Sequence, residues 1–89
     1  MIYIVGIHLA GGTGHEHISE VKWKNPSTGD TGKSDTQTVV KWIEDEKGVA
    51  KVTDGKNTVA VGVVNAKPKH LRTHSDGKWT DNLRALPQY

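Results

Sequence analysis

The chain has no cysteine, no phenylalanine and no long apolar run. Without cysteine it forms no disulfide, zinc–thiolate centre or thiol nucleophile, and a small domain that lacks disulfides is typical of a reducing cytosol. The apolar stretch 2–10 is much shorter than the roughly 20 residues that a helix needs to cross a bilayer, and no basic segment precedes it. We therefore expect a cytoplasmic protein whose chain begins with a strand and makes no contact with a membrane.

A strong charge of either sign is also lacking. Lys and Arg total 12 against 10 acidic residues, which gives a net charge of +2. A nucleic-acid-binding domain usually has a denser basic cluster, so ordinary surface lysine accounts for this small excess. Polar and apolar residues are mixed along the 89 residues, which favours a single folded domain, 1–89, over a disordered chain.

The first 24 residues predict a β-hairpin. Residues 2–10 are apolar on both sides, as in a central strand, and residues 15–24 alternate between an apolar and a charged side. Between them lies Gly-Gly-Thr-Gly at 11–14, and glycine adopts the positive φ of a tight reversal without strain. We interpret this segment as a turn.

A four-residue turn fixes the register of that hairpin. Ile4 would then face Val21, so that the apolar residues of both strands share one side. The same register places His8 opposite His17, with Cβ atoms about 5 Å apart. Two imidazolium groups at this distance repel each other, so we expect lowered pKa values for both histidines.

A loop and then a helix are predicted next. Residues 25–34 are rich in Asn, Pro, Ser and Gly, which indicates a mobile loop. Ser34 is the expected N-cap of a helix over about 35–47, and Gly48 is the expected left-handed terminator. The buried side of this helix is expected to consist of Thr36, Val39, Val40 and Ile43.

Shorter strands follow the helix. The segments 49–53 and 58–64 form a hairpin around Asp-Gly-Lys-Asn, and 70–74 pairs with a return strand that begins at Trp79. The predicted fold class is α+β, a mainly antiparallel sheet of five or six strands with one helix packed on one face. The element order is β-β-α-β-β-β, with a further strand at the end in the six-stranded version.

The predicted C-terminal hairpin presents the most distinctive surface. A four-residue turn at 75–78 places His74 opposite Trp79 and Arg72 opposite Asp81. Trp and Arg are enriched in binding hot spots, and flanking lysines suit a phosphate backbone. The candidate binding surface therefore consists of Lys69, His70, Arg72, His74, Lys78, Trp79 and Asp81; the alternative interpretation is an ordinary solvated face.

Three other kinds of site are disfavoured. The glycines at 11–14 open a strand, whereas a phosphate-binding loop must open a helix, and Gly-Lys-Ser at 32–34 lacks the first glycine of a P-loop. The hairpin histidine cluster of His8, His15 and His17 offers imidazoles, but structural histidines explain it as well as a metal site does. No serine lies in a nucleophile elbow. We expect no catalytic residues, no metal and no cofactor.

Three segments resemble a small bacterial and phage family, domain of unknown function 3892. They are Gly-His-Glu-His-Ile at 14–18, Val-Val-Lys-Trp-Ile-Glu-Asp at 39–45, and the closing Leu-Arg-Thr-His-Ser-Asp-Gly-Lys-Trp-Thr-Asp-Asn-Leu-Arg-Ala-Leu-Pro at 71–87. The resemblance implies a stand-alone cytoplasmic domain. It implies no activity and no site residues.

The functional hypothesis is a small non-catalytic domain that contacts a macromolecule. A protein partner is preferred, because Trp, Arg and His lie together on the predicted C-terminal hairpin. Nucleic acid, bound by the lysine-flanked hairpin, is the alternative. A histidine metal site and a small hydrolase rank below both, and the sequence leaves the oligomeric state open.

Overall fold

The computed structural model describes all residues from Met1 to Tyr89. The strands are β1 (Ile2–Leu9), β2 (Ile18–Lys24), β3 (Thr31–Asp35), β4 (Ala50–Thr53), β5 (Thr58–Val64), β6 (His70–Ser75) and β7 (Lys78–Thr80), with the helix α1 (Thr36–Glu46) between β3 and β4. They form one sheet in the order β3-β2-β1-β4-β5-β6-β7, and only β1 and β4 are parallel neighbours. The predicted α+β class is confirmed, but the sheet has seven strands instead of five or six.

The additional strand is β3, which lies inside the segment predicted as a loop. Residues 31–35 pair with β2 along their whole length, so the prediction of a loop over 25–34 is wrong in its second half. Turn bonds close the remaining loop, since the amide of Gly29 donates to the carbonyl of Asn25. This strand lacks apolar residues because it lies at the edge of the sheet. The indole of Trp23 lies directly against Gly32, where a Cβ would be only 2.5 Å from the indole ring.

Both ends of α1 differ from the predicted ends by a residue. Asp35, instead of Ser34, is the N-cap, and its carboxylate accepts a hydrogen bond of 2.7 Å from the amide of Thr38. Lys47, instead of Gly48, adopts the left-handed conformation at the C-cap, with φ of 53°. Gly48 is needed for another reason: a Cβ there would lie 2.2 Å from the ring of Trp42.

The predicted register of the β1–β2 hairpin is wrong. Ile4 pairs with Trp23 and Ile7 with Val21, because the register shifts between Ile4 and Gly6. This bulge turns both isoleucines toward the core although they are three residues apart. Residues 11–14 do reverse the chain, but the segment after them, His15–His17, forms a 3₁₀ helix instead of continuing as a strand.

The core lies between α1 and the face of the sheet that it covers. It comprises Ile4, Ile7, Ile18, Val21, Val39, Val40, Ala50, Val52, Val61, Leu71 and Leu83. The predicted helix stripe is confirmed: Thr36, Val39 and Val40 are buried, and Ile43 packs against them. The hydroxyl of Thr36 donates to the carbonyl of Ile18, which ties the helix to β2.

The C-terminal tail completes the sheet beside β1. Strands β1 and β4 pair at only two positions, so β1 is left open beyond Tyr3. There the amide of Ile7 donates to the carbonyl of Pro87, and the amide of Tyr89 donates to the carbonyl of Ile7. No helix in the structure is both long enough and apolar enough to span a bilayer.

The two later hairpins follow the predicted registers. Val52 pairs with Val59, and His74 pairs with Trp79. The second turn is a two-residue turn within the predicted 75–78, since Ser75 and Lys78 already pair. Asp76 and Gly77 both have positive φ, 53° and 76°, as the Asp-Gly type I′ turn requires.

Candidate functional site

The sheet face that α1 does not cover, here called the open face, presents one row of directly paired residues. In order across six strands the row is Lys24, Tyr3, Lys51, Ala60, His74 and Trp79. Paired residues project from the same side of a sheet. The row is about 24 Å long along the sheet, because neighbouring strands lie about 4.8 Å apart. The row thus has two lysines that flank Tyr3 and an aromatic pair at its other end; we call it the open-face row.

The end of the row at β7 is an aromatic pair. The rings of His74 and Trp79 meet edge to face with centroids 5.8 Å apart, and Trp79 is 46% exposed. Gly62 on β5 lies next to this pair. A Cβ on Gly62 would lie 2.9 Å from His74 and 3.3 Å from Trp79. The absence of a side chain at this position therefore allows both rings to lie close to the sheet.

Arg72 lies on the same face as His74 and is held by the following hairpin. Its Nε donates to the carbonyl of Thr80 at 3.1 Å, and its Nη2 donates to the Asp81 carboxylate at 2.9 Å. The predicted contact between Arg72 and Asp81 is thus present. Asp81 is 70% exposed, so solvent screens this ion pair and its contribution to stability is small.

His15 joins this surface from a different part of the chain. The 3₁₀ helix lies against β6, and Nε2 of His15 is 3.8 Å from the Asp81 carboxylate. Burial lowers the pKa of His15, and the nearby positive charge of Arg72 lowers it further, while Asp81 acts in the opposite direction. His15 is therefore mostly neutral at pH 7.

A second aromatic and basic group occupies the other end of the open face. The Tyr89 hydroxyl donates to Glu20 at 2.8 Å, and the Lys22 and Lys33 ammonium groups lie 4.3 Å and 5.2 Å from the centroid of its ring. Burial, together with this bond to Glu20, raises the pKa of Tyr89 to about 12. His8 also belongs here, since its ring contacts the main-chain oxygen and the ring of Tyr89.

The hairpin histidine cluster does not exist as predicted. His8 pairs with Glu20 and not with His17, so the premise for their mutual repulsion is wrong. His17 lies in the 3₁₀ helix with Nε2 3.5 Å from Glu16. His15 lies against Asp81 on the C-terminal hairpin instead. The predicted positions of these histidines were wrong because the β1–β2 register contains bulges and because residues 15–17 form a 3₁₀ turn. The alternation of apolar and polar residues in the sequence predicts neither feature.

The predicted C-terminal surface is present, apart from its lysines. His70, Arg72 and His74 occupy alternate positions of β6 and pair with β5 residues of the open face. Lys69 instead forms an ion pair with Glu44 of α1 at 2.9 Å, so it points toward the helix. Lys78 is exposed on the edge strand β7. Because successive side chains of a strand alternate between its two faces, Lys78 lies on the opposite face from Trp79.

A groove between α1 and the β1–β3 strands was not predicted from the sequence. Its volume is about 480 Å³, and it is lined by Ile2, Trp23, Asn25, Ser34, Thr38, Val39, Lys41, Trp42 and Glu46. Trp23 is fixed there by a 3.1 Å hydrogen bond from its indole to Ser34. Trp42 at the edge of the helix stripe was the only sequence signal for it.

No group of three or more His, Asp or Glu side chains is placed to hold a metal ion. The open face instead offers ammonium and guanidinium groups, which bind phosphates and carboxylates, and aromatic faces, which stack on planar groups.

The sequence was compared with known families, curated proteins and solved structures. It matches the family described as Protein of unknown function (DUF3892) over residues 3–87. No curated protein and no solved structure gives a significant match.

Proposed function

The chain belongs to the DUF3892 family, and from the geometry of its open face we propose that it is a non-catalytic domain that binds single-stranded nucleic acid. The observation that supports this proposal is that the open-face row combines two lysines on either side of Tyr3 with the aromatic pair of His74 and Trp79 at its other end. Proteins that bind single strands without sequence preference combine a positive surface for the backbone with aromatic rings on which bases stack. The proposal moves nucleic acid ahead of the protein partner that the sequence favoured.

The charges around the row support an anionic ligand. Lys22, Lys33 and Arg72 lie on the same face as the row lysines. The nearby carboxylates each have a hydrogen-bond donor: Glu20 accepts from the Tyr89 hydroxyl, Asp35 from the amide of Thr38, and Asp81 from Arg72. A cationic face over a chain of small net charge attracts a phosphate backbone locally, without a strongly basic composition.

The separate rings along the row favour a single strand over a duplex. Bases that are free of a helix can stack in turn on separate rings of a twisted face, whereas a duplex hides its base faces. Tyr3, near one end of the row, is half-buried, and Trp79, at the other end, is 46% exposed, so each half of the row offers a ring for stacking.

The proposal is tested by fluorescence anisotropy with a labelled oligothymidine. The variant Lys24→Ala/Lys51→Ala removes both lysines of the row, and Lys41→Ala/Lys47→Ala removes two exposed lysines from α1 and its C-cap as the matched control. We expect the first variant to bind more weakly and to lower the slope of log K against log salt concentration by about 1.4, since each phosphate contact on a single strand contributes about 0.7. The control retains the wild-type slope.

Two results contradict the proposal. One is the absence of binding to oligothymidine or to the corresponding RNA at low salt. The other is an equal change in both double variants, which would mean that affinity depends on total charge and not on the open face.

A protein partner is the second candidate, and the free edge of β7 is the observation that favours it. Strand β7 has no neighbour on one side, and Trp79 is exposed beside it. An extended segment of another protein can add to such an edge while an aromatic anchor fixes it. If no nucleic acid binds, a pull-down from bacterial lysate with wild-type protein and Trp79→Ala distinguishes specific capture from background.

The same proposal places the domain in the cytoplasm, where RNA and single-stranded DNA are present. The lack of cysteine is consistent with that compartment. Catalysis is not part of the proposal, because binding requires no general base or nucleophile on the open face.

A further inference from the structure

We infer that the 3₁₀ helix and the β6–β7 hairpin together bind a phosphate group through His15, Arg72 and Arg84. This inference does not depend on nucleic-acid binding by the open-face row.

The first observation is a buried imidazole without a partner. His15 is 7% exposed, yet its Nε2 has no hydrogen-bond partner. Buried polar groups nearly always have one, so an unpaired nitrogen at this position calls for a ligand. The nitrogen faces the carboxylate of Asp81 at 3.8 Å, which is beyond hydrogen-bonding distance. Nδ1 of His70, the first residue of β6, is a second buried nitrogen without a partner.

The second observation is the sign of the surrounding charge. Arg72 is bonded to Asp81 at 2.9 Å, and Arg84, the other arginine of the chain, belongs to the turn that follows Asp81. Both arginines and His70 lower the pKa of His15, whereas Asp81 raises it. Glu16, beside His15 in the 3₁₀ helix, is a further carboxylate. Two guanidinium groups disfavour a metal cation here and favour an oxyanion.

Asp81 acts as an internal substitute for the ligand. Its carboxylate accepts a hydrogen bond from Nη2 of Arg72 at 2.9 Å and faces Nε2 of His15. These are two of the donors that a bound phosphate would use, and both already face a negatively charged oxygen. The side chain is 70% exposed, and the residues after it form a turn outside the sheet. Asp81 can therefore rotate into solvent, and a phosphate oxygen can then accept from Nε2 of His15 and Nη2 of Arg72.

The test uses inorganic phosphate at constant ionic strength, with the imidazole NMR signals of His15 as the readout. We expect a saturable shift in the wild type. Asp81→Asn removes the competing charge and should tighten phosphate binding about tenfold, because like charge beside a bound anion is strongly unfavourable. Arg84→Ala should weaken it, whereas Lys56→Ala, which removes one positive charge from the exposed β4–β5 turn, should not.

The source of the phosphate is identified with two oligothymidines of equal length, one with a 5′-phosphate and one with a 5′-hydroxyl. Tighter binding of the phosphorylated strand, lost in Arg84→Ala, assigns the site to a nucleic-acid end. Binding of inorganic phosphate without that difference assigns it to a small phosphorylated molecule.

The inference is overturned if phosphate gives no saturable shift of His15 in either the wild type or Asp81→Asn. It is also overturned if Arg84→Ala and Lys56→Ala change the phosphate affinity equally. Arg84 is exposed, so its variant tests the site even if Asp81→Asn lowers stability. Failure of oligothymidine to bind would contradict the proposed function but would leave the result with inorganic phosphate intact.

Discussion

The two faces of the sheet differ in how their side chains are used. On the face covered by α1, Leu71 and Val61 are buried in a common core. On the open face, their strand neighbours Arg72 and Gly62 are directly paired, and no helix covers them. The first set is explained by folding. The second set contributes little apolar burial to that core, and Trp79 beside it is 46% exposed and free to contact a ligand.

This contrast gives the sharpest expectation for stability. Leu71→Ala should destabilise the domain by about 2–5 kcal/mol, since it leaves a cavity in the buried core. Lys51→Ala on the open face should change the free energy of unfolding by no more than about 0.5 kcal/mol. Urea denaturation followed by tryptophan fluorescence measures both. Equal losses would mean that the open face is part of the folding core.

For affinity to oligothymidine, substitutions on the open face should have the larger effect. Trp79→Ala should weaken oligothymidine binding about tenfold, because stacking of a base on an aromatic ring contributes about 1–3 kcal/mol. Its thermal stability should remain close to that of the wild type, since Trp79 is 46% exposed. Gly62→Ala should also weaken binding, because the added Cβ would displace His74 and Trp79. Unchanged affinity in both variants would remove the aromatic pair from the proposed site.

Gly48→Ala tests the packing of the helix-covered side. The new Cβ would lie 2.2 Å from the Trp42 ring, so the indole must move, at a cost of about 1–3 kcal/mol of stability. Thermal melting and the emission maximum of tryptophan report the change. Wild-type stability would mean that the Trp42 indole moves aside without loss of packing.

The smallest expected effect is the response to acid, and it depends on His15. Burial and the charge of Arg72 lower the pKa of His15 in the folded state from its ordinary value of 6.5. At a pH below 6.5 the unfolded chain therefore binds more protons than the folded chain. Stability is therefore fully present above pH 6.5 and declines as the pH falls through the lower folded pKa. His15→Gln should flatten this decline in melting temperature between pH 7 and pH 5, and Ser19→Ala should not. A decline of the same size in all three proteins would assign it to other groups.

Two pairs of strands also differ in how far their pairing can be predicted from the sequence. The β4–β5 and β6–β7 hairpins have regular alternation and short Asp-Gly turns, so their registers could be predicted, including His74 opposite Trp79. In the β1–β2 hairpin, bulges and a 3₁₀ turn change which residues face each other. These features depend on tertiary packing, with Ile4 and Ile7 both drawn into the core, and local patterns do not contain that information.

In the candidate sites, contacts within one hairpin could be predicted from the sequence, and contacts between distant segments could not. The Arg72–Asp81 contact lies within one hairpin and follows from its register. The open-face row needs the parallel contact of Tyr3 with Lys51, which joins distant segments. His15 reaches Asp81 across most of the chain length. Strand β3 was missed because Thr-Gly-Lys-Ser-Asp has the composition of a loop, and only its pairing with β2 makes it a strand.

The central claim, that the open face binds single-stranded nucleic acid, is tested most directly by NMR mapping. Oligothymidine is titrated into uniformly ¹⁵N-labelled protein, and the shifts of backbone amides and indole groups are followed. We predict that the largest shifts occur at Tyr3, Lys24, Lys51, His74 and Trp79, with α1 and the indoles of Trp23 and Trp42 nearly unaffected. Shifts concentrated at the Trp23–Trp42 groove, or no shifts at low salt, would contradict the claim.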